Sequence, residues 1–80
     1  MPELARFDGM VITMNFGDHA PPHLHVRFAG LSASVTISPL TLAEGDLPAS
    51  VWRKVRDWAA GREEELLQVW QDLGGASARD

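Results

Sequence analysis

The three histidines of the chain all lie within the stretch GDHAPPHLHVRF, residues 17–28. Imidazole is the side chain that changes charge near neutral pH, and it is also the commonest ligand of transition metals. Because His23 and His25 are two residues apart, a strand places both rings on one face, about 6.5 to 7 Å from each other. Rings at that spacing converge on one ion or one phosphate. The pattern therefore indicates a binding or catalytic site.

The loop before this pair adds further candidates. Pro21 and Pro22 fix their own φ angles, so His19 is held near the start of the strand. Asp18 lies beside His19 and can orient an imidazole ring. Thr36, which projects outward from a neighbouring predicted strand, supplies a hydroxyl group. We therefore predict a binding surface formed by Asp18, His19, Pro21, Pro22 and Thr36.

Three interpretations of these residues remain open. In the first, His19, His23 and His25 bind a divalent transition metal such as zinc or nickel, and Asp18 is the alternative third ligand. In the second, His23 and His25 are the general acid and base that cleave a phosphodiester, while Arg27 holds its charge. In the third, the histidines belong to a polar face that binds another protein. Whether the protein is an enzyme is therefore left open.

The strands that position these residues are predicted from the alternation of apolar and polar residues in the first half of the chain. Apolar and polar residues alternate with a period of two over residues 10–16, 23–28 and 31–38. Each segment therefore has one apolar face. The residues predicted to point inward are Met10, Ile12, Met14, Phe16, Leu24, Val26, Phe28, Leu31, Ala33, Val35 and Ile37.

Two short links predict how these strands are connected. The Asp8-Gly9 pair lies between apolar flanks, and the Ala29-Gly30 link is only two residues long. Both are typical of tight hairpins between antiparallel strands. We therefore expect a meander of three main strands, preceded by a short strand at residues 4–7.

Beyond Pro39 the apolar residues recur at helical spacing. One helix is predicted over residues 48–60, with Asp46 as its N-cap. Gly61 weakens a helix, and the acidic run that follows it suits a new helix N-terminus. A second helix is therefore expected to carry the apolar set Leu66, Leu67, Trp70 and Leu73.

Together these elements predict an α+β fold: an antiparallel three- to four-stranded β-meander followed by two C-terminal helices packed on one face. His23, His25 and Arg27 are expected on the opposite, exposed face. Residues 2–73 are predicted to form a single domain, and residues 74–80 a flexible, glycine-rich tail. The meander has open edges, so pairing of two sheets into a homodimer is a further expectation that remains open.

Composition narrows the class of protein. The net charge is −4 and the isoelectric point about 5.2, which disfavours nucleic acid as the main partner, although RNA remains open. The chain has no cysteine, so thiolate metal sites and cysteine nucleophiles are excluded. It also lacks a signal-peptide pattern and any apolar run of about 20 residues, the length that spans a bilayer. We therefore expect a cytoplasmic protein with no membrane association.

The succession of motifs resembles one known family. MPELARFDGMVITMNFGDHAPPHLHV, then EGDLP, then a tryptophan-containing helix that ends in REEELLQVW, is similar to small bacterial and archaeal proteins grouped as domain of unknown function, family 4160. The resemblance runs over residues 3–73. Its most specific part is an acid-His-x-Pro-Pro-His-x-His motif, present here as Asp18, His19, Pro21, Pro22, His23 and His25.

The resemblance implies a stand-alone cytoplasmic protein encoded beside a second small protein, an arrangement similar to toxin–antitoxin pairs. It therefore implies a protein partner, and some toxins of that kind cleave RNA. The family pattern assigns no role to its signature residues. We accordingly expect a small interaction protein of a two-gene module, with the histidine-rich face as its functional surface. The alternative is a ribonuclease or a metal-dependent hydrolase that uses His19, His23 and His25.

Overall fold

The computed structural model describes residues 3–75 and contains one antiparallel sheet and two helices. The strands lie in the sheet in the order in which they occur in the chain. The elements are β1 (Glu3–Phe7), β2 (Met10–Thr13), β3 (His23–Phe28), β4 (Leu31–Ile37), β5 (Leu40–Gly45), α1 (Ala49–Ala60) and α2 (Glu63–Asp72). The predicted α+β fold, a meander followed by two helices, is therefore confirmed.

Both predicted hairpin turns are present. Asp8 and Gly9 join β1 to β2 with φ angles of 50° and 78°, and Ala29 and Gly30 join β3 to β4 with φ angles of 48° and 82°. Positive φ at both central residues is the requirement of a type I′ turn, whose twist matches that of the flanking strands. The turns therefore fix the register of β1 against β2 and of β3 against β4.

The sheet has five strands, where the sequence predicted three or four. The additional strand is β5, which pairs with β4 after a turn of only two residues, Ser38 and Pro39. Its first half does alternate, since Leu40 and Leu42 are half-buried while Thr41 is exposed. The alternation is brief and ends in Glu44 and Gly45, so sequence reasoning assigned the segment to the passage between sheet and helices.

The core lies between one face of the sheet and the helices. Its fully buried members include Met10, Ile12 and Met14 from the second strand and its end, as predicted. The other buried apolar residues are Leu24, Val26, Ala33, Val35, Ile37, Leu47, Val51, Val55, Ala59, Leu66 and Trp70. Two inward predictions are wrong: Phe16 and Leu31 are exposed. Phe16 lies beyond the end of β2, where the chain has already turned away from the sheet.

The two helices are separated where the sequence predicted. Gly61 follows α1, and Glu63, Glu64 and Glu65 occupy the first turn of α2, where carboxylates interact favourably with the helix dipole. The predicted role of Asp46 is wrong, because the N-cap position of α1 is Pro48 and no side chain caps that end.

Two backbone hydrogen bonds end the second helix in a Schellman motif, with Gly74 in the left-handed conformation at a φ of 77°. The amides of Gly74 and Gly75 donate to the carbonyl oxygens of Gln71 and Trp70. The rest of the predicted tail, residues 76–80, lies outside the described residues. Within residues 3–75, neither helix has the length and apolar character needed to cross a membrane.

Candidate functional site

The loop between β2 and β3 carries an acidic side chain back over the start of β3. Two main-chain hydrogen bonds anchor this loop: the Gly17 N–H donates to the Leu73 carbonyl over 2.8 Å, and the Ile37 N–H donates to the Pro22 carbonyl over 3.2 Å. Gly17 has a φ of 58°, a conformation that glycine adopts without steric cost. The loop is thus tied to the end of α2 and to β4, and these ties place Asp18 beside the histidines.

His23 is held from both sides of its ring. Its Nδ1 lies 2.8 Å from the Pro21 carbonyl oxygen, and its Nε2 lies 3.1 Å from Oδ2 of Asp18. A carbonyl oxygen only accepts, so Nδ1 carries a proton, and Nε2 is the ring nitrogen directed at the carboxylate. The side chain is only 9% exposed and packs against Trp70. The prediction that His23 is exposed is therefore wrong.

His25 has the same orientation toward the carboxylate. Its Nε2 lies 3.4 Å from Oδ2 of Asp18, and the Asn15 amide nitrogen lies 3.2 Å from both of these atoms. An amide nitrogen only donates, so Asn15 donates to the carboxylate, and Nε2 of His25 lies at hydrogen-bond distance from both groups. The ring is 28% exposed and stands nearly perpendicular to that of His23, with the centroids 5.0 Å apart.

Asp18 is the centre of the cluster. Burial raises the pKa of this carboxyl, but hydrogen bonds and charge from the surrounding residues outweigh burial and lower the pKa from 3.8 to about 2. The opposing contacts come from the His19 N–H, the His25 and Asn15 side chains and the charge of His23. Asp18 is therefore ionised at neutral pH and offers a negative charge to whatever lies between the rings.

His19 occupies a different position from the other two histidines. Its ring is 83% exposed, and its Nδ1 lies 2.9 Å from Oδ1 of Asp18, the oxygen that faces away from His23 and His25. The set of potential metal ligands that the structure brings together is thus Asp18, His23 and His25, whose ligand atoms all lie within 4.8 Å of one another. The sequence had named His19 as a ligand and Asp18 as the alternative.

The remaining predicted residues surround this cluster in different ways. Pro21 and Pro22 contribute carbonyl acceptors, as described above. The Thr36 hydroxyl donates to the Pro39 carbonyl over 2.6 Å and lines the cleft next to the cluster. Arg27 is exposed and does not line that cleft. Arg27 instead lines the adjoining groove together with His25.

Two concave surfaces meet at the cluster. The cleft of about 290 Å³ exposes Asp18, His19 and His25, and a shallow groove of about 760 Å³ runs along the uncovered face of the sheet past Arg27. The two share three residues, His25, Ser34 and Glu44. Ser34 is the cross-strand partner of both His25 and Glu44, so one row of side chains joins the two surfaces.

Sequence reasoning missed two contributors to the site. Asn15 was assigned only to an outward strand face, although its distance from the acid, three residues, is a spacing that allows a loop hydrogen bond. Trp70 was assigned to the core, which is where it lies, but its ring also lies 5.2 Å from that of His23. No short-range signal connects residues so far apart in the chain.

The sequence of the chain is similar to that of one known protein family. No curated protein and no solved structure shows significant similarity to the chain. The family model described as "Domain of unknown function (DUF4160)" matches residues 9–71, which include the loop, the paired histidines, α1 and all but the last residue of α2. The match covers well over half of the sequence and contains every residue of the acid and histidine cluster, and the chain therefore belongs to this family.

Proposed function

We propose that the protein binds a divalent transition metal ion through Asp18, His23 and His25 and uses it to activate water for hydrolysis. One observation carries this proposal. Nε2 of His23 and Nε2 of His25 both lie within 3.4 Å of one oxygen of the ionised Asp18 carboxylate, so three potential ligand atoms converge. A cation at this point, either a proton on a ring or a metal ion, balances the negative charge of the carboxylate.

The distances support a metal ion as that cation. In a tetrahedral zinc site with bonds of about 2.05 Å, neighbouring ligand atoms are about 3.3 Å apart. Oδ2 of Asp18 lies 3.1 Å from one Nε2 and 3.4 Å from the other. The Pro21 carbonyl that accepts the Nδ1–H of His23 is also the partner that a metal-bound imidazole requires at its second nitrogen.

Three protein ligands leave the ion a position for water, as in catalytic zinc sites. An ion held by these residues would be reached from the cleft, because His25 and Asp18 are both part of its wall. A bound ion lowers the pKa of its water to about 7 and so supplies hydroxide at neutral pH. His19 and Glu44 line the same cleft and are placed to exchange protons with that water.

The substrate class that these surfaces favour is a phosphodiester. Arg27 follows His25 by two residues on the same strand face, about 6.5 to 7 Å away, and lines the adjoining groove. Within residues 3–75 no acidic side chain forms an ion pair with Arg27. Its guanidinium is therefore available to bind an anionic phosphate group of the substrate, next to the bond that the activated water would attack.

The proposal is tested by calorimetric titration of the purified chain with zinc, nickel, cobalt and manganese chlorides. We expect one ion per chain, and a loss of affinity of about a hundredfold or more for His25→Ala, which removes a ligand. His19→Ala is the matched control, because its ring nitrogen contacts the other oxygen of Asp18 and its ring only packs against that of His23. A flat titration of the wild type, or equal losses in both variants, contradicts the site.

A second candidate function is recognition of a protein partner, as in a toxin–antitoxin-like two-gene module. The observation that favours it is the groove of about 760 Å³ on the sheet face that no helix covers. It is lined by Arg27 and by the exposed apolar Leu31, and arginine is enriched in protein interfaces. Coexpression with the small protein encoded nearby tests this: Arg27→Glu is expected to weaken copurification, whereas unchanged copurification with this variant excludes the groove as the interface.

A further inference from the structure

The two helices carry charges of opposite sign. Four of the seven basic side chains of the chain lie between residues 53 and 62, where Asp57 is the one acid, although the whole chain has a net charge of −4. The second helix, α2, has no basic residue, and its acids are Glu63, Glu64, Glu65 and Asp72. The helical layer therefore has a basic part on α1 and an acidic part on α2.

Contacts within the domain do not account for the arginines of α1. The buried side of this helix is formed by Val51, Val55 and Ala59, and Arg53 and Arg56 are exposed. Within residues 3–75 neither arginine forms an ion pair. Neither lies in the last turn of α1, where the helix dipole favours a cation. Both positive charges are thus presented to the surroundings of the domain.

The acids of α2 form a complementary surface. Leu66 and Trp70 are buried, whereas Glu64, Glu65 and Asp72 are exposed. The helix dipole favours acids in the first turn but disfavours Asp72, which ends the helix. In the part of the chain that the structure describes, none of these carboxylates forms an ion pair. Carboxylates therefore line the exposed side of α2 from its first turn to its last.

We propose that two copies of the chain associate through their helices, with α1 of each copy against α2 of the other. A two-fold axis that lies between the two helices produces this arrangement, because each patch then meets its complement on the second copy. Arg53 and Arg56 of one copy face the α2 carboxylates of the other, and this contact occurs twice. Complementary charges of this kind steer association and fix the register of the two surfaces.

The dimer leaves the candidate metal site accessible. Both the cleft and the groove are lined by side chains on the sheet face that the helices do not cover, such as His25 and Ser34. The proposed dimer also uses the helices and not the open edges of the sheet. It is therefore independent of the proposed function.

The size of the helical layer sets the expected strength of the dimer. Helices of 12 and 10 residues are about 18 and 15 Å long and about 10 Å wide, so side by side they cover roughly 18 by 20 Å. Such an area lies at the small end of protein interfaces. We therefore expect a weak dimer that depends on charge and dissociates when salt screens the charges.

Sedimentation equilibrium of the purified full chain, at concentrations up to about 1 mM, tests the proposal. The dimer is expected in about 20 mM sodium chloride, and its dissociation constant should rise about tenfold or more in about 500 mM sodium chloride. A wild type that stays monomeric at the lower salt concentration overturns the proposal.

Two charge-reversed variants make the test specific to the helices. The double variant Arg53→Glu, Arg56→Glu makes α1 acidic, and the triple variant Glu64→Arg, Glu65→Arg, Asp72→Arg makes α2 basic. Each variant alone should be monomeric, because its two helices carry the same sign of charge. An equimolar mixture should recover the dimer, because the two variants are complementary at both contacts. Circular dichroism confirms that each variant is folded.

The matched control is Arg27→Glu, a charge reversal on the sheet face that the helices do not cover, and it should dimerise as the wild type does. A dimer that both helix variants retain, or a mixture of them that stays monomeric, overturns the proposal. A dimer lost only in Arg27→Glu places the interface at the groove instead. A monomeric wild type that binds a polyglutamate peptide through Arg53 and Arg56 overturns the second copy as occupant and assigns the α1 surface to an acidic protein.

Discussion

The ring of Trp70 on α2 lies 5.2 Å from the ring of His23 on β3, at a tilt of 52°. The indole is almost fully buried, so the candidate site rests directly on the core. A change in the charge or ligation of His23 therefore alters the surroundings of Trp70, and the fluorescence of this tryptophan can be used to follow the site.

The first prediction uses this contact. Binding of zinc at His23 is expected to change the tryptophan fluorescence, because the indole of Trp70 senses the charge on the adjacent ring. The change should persist in Trp52→Phe and Trp58→Phe, whose tryptophans lie on α1, and should largely disappear in Trp70→Phe. A response that disappears with Trp58 instead places the ion elsewhere. Circular dichroism confirms that each variant is folded.

The second prediction concerns pH. The pKa of Asp18 is lowered from 3.8 to about 2, so the folded chain prefers the carboxylate more strongly than the unfolded chain does. The ionised carboxylate therefore stabilises the fold at pH values above 3.8, the ordinary pKa of the group. This stabilisation is lost as the pH falls from 3.8 through about 2. Asp18→Asn should therefore be less stable than wild type at pH 5, and the difference should shrink between these two values. Denaturant unfolding of both proteins across this pH range measures the difference in unfolding free energy. A difference that stays constant with pH contradicts the prediction.

The control for this series is Asp57→Asn, on the exposed side of α1. Its unfolding free energy should follow that of the wild type at every pH.

The third prediction distinguishes a metal ion from a shared proton. In Asn15→Asp, a second carboxylate replaces the amide that lies 3.2 Å from Oδ2 of Asp18. Two like charges at this distance destabilise the metal-free chain, whereas a divalent ion gains a ligand. Addition of zinc should therefore raise the melting temperature of Asn15→Asp by more than that of the wild type. If zinc raises neither, the cation between the rings is a proton, and acid–base chemistry by His23 and His25 becomes the mechanism to test.

The fourth prediction concerns the strand that was not predicted. Gly45 ends β5 with a φ of 80°, and a Cβ at this position would overlap the Ser32 carbonyl oxygen on β4. Gly45→Ala should therefore cost about 2 kcal/mol or more in unfolding free energy, from backbone strain and lost pairing. Gly61→Ala is the matched control, because an added methyl group there meets open space. Equal effects in chemical denaturation would show that β5 does not depend on this close approach.

The sheet could be predicted largely because its signals are local. Alternation identified β2, β3 and β4, and two-residue links between apolar segments identified their hairpins. Phe16 is a case in which the alternation misled. Its spacing from Met10, Ile12 and Met14 predicts an inward side chain, but β2 ends at Thr13 and Phe16 is exposed. Alternation identifies the two faces of an extended segment and does not show where the segment stops.

The site was predictable in composition but not in geometry. The sequence named Asp18, His23 and His25 among its candidates, yet it ranked His19 above Asp18 as a ligand. The choice depends on which oxygen of Asp18 faces which ring, and that follows from loop anchors contributed by residues far along the chain. Burial of His23 likewise depends on α2, which no periodicity within β3 could indicate.

The anchor between Gly17 and Leu73 has a consequence for the order of events during synthesis. The acid and both imidazoles leave the ribosome early, whereas the carbonyl that fixes their loop and the indole beneath His23 are added only with α2. A nascent chain thus contains all three side chains of the proposed ion site before it contains the residues that align them. The geometry of this proposed site is completed only when α2 has been added.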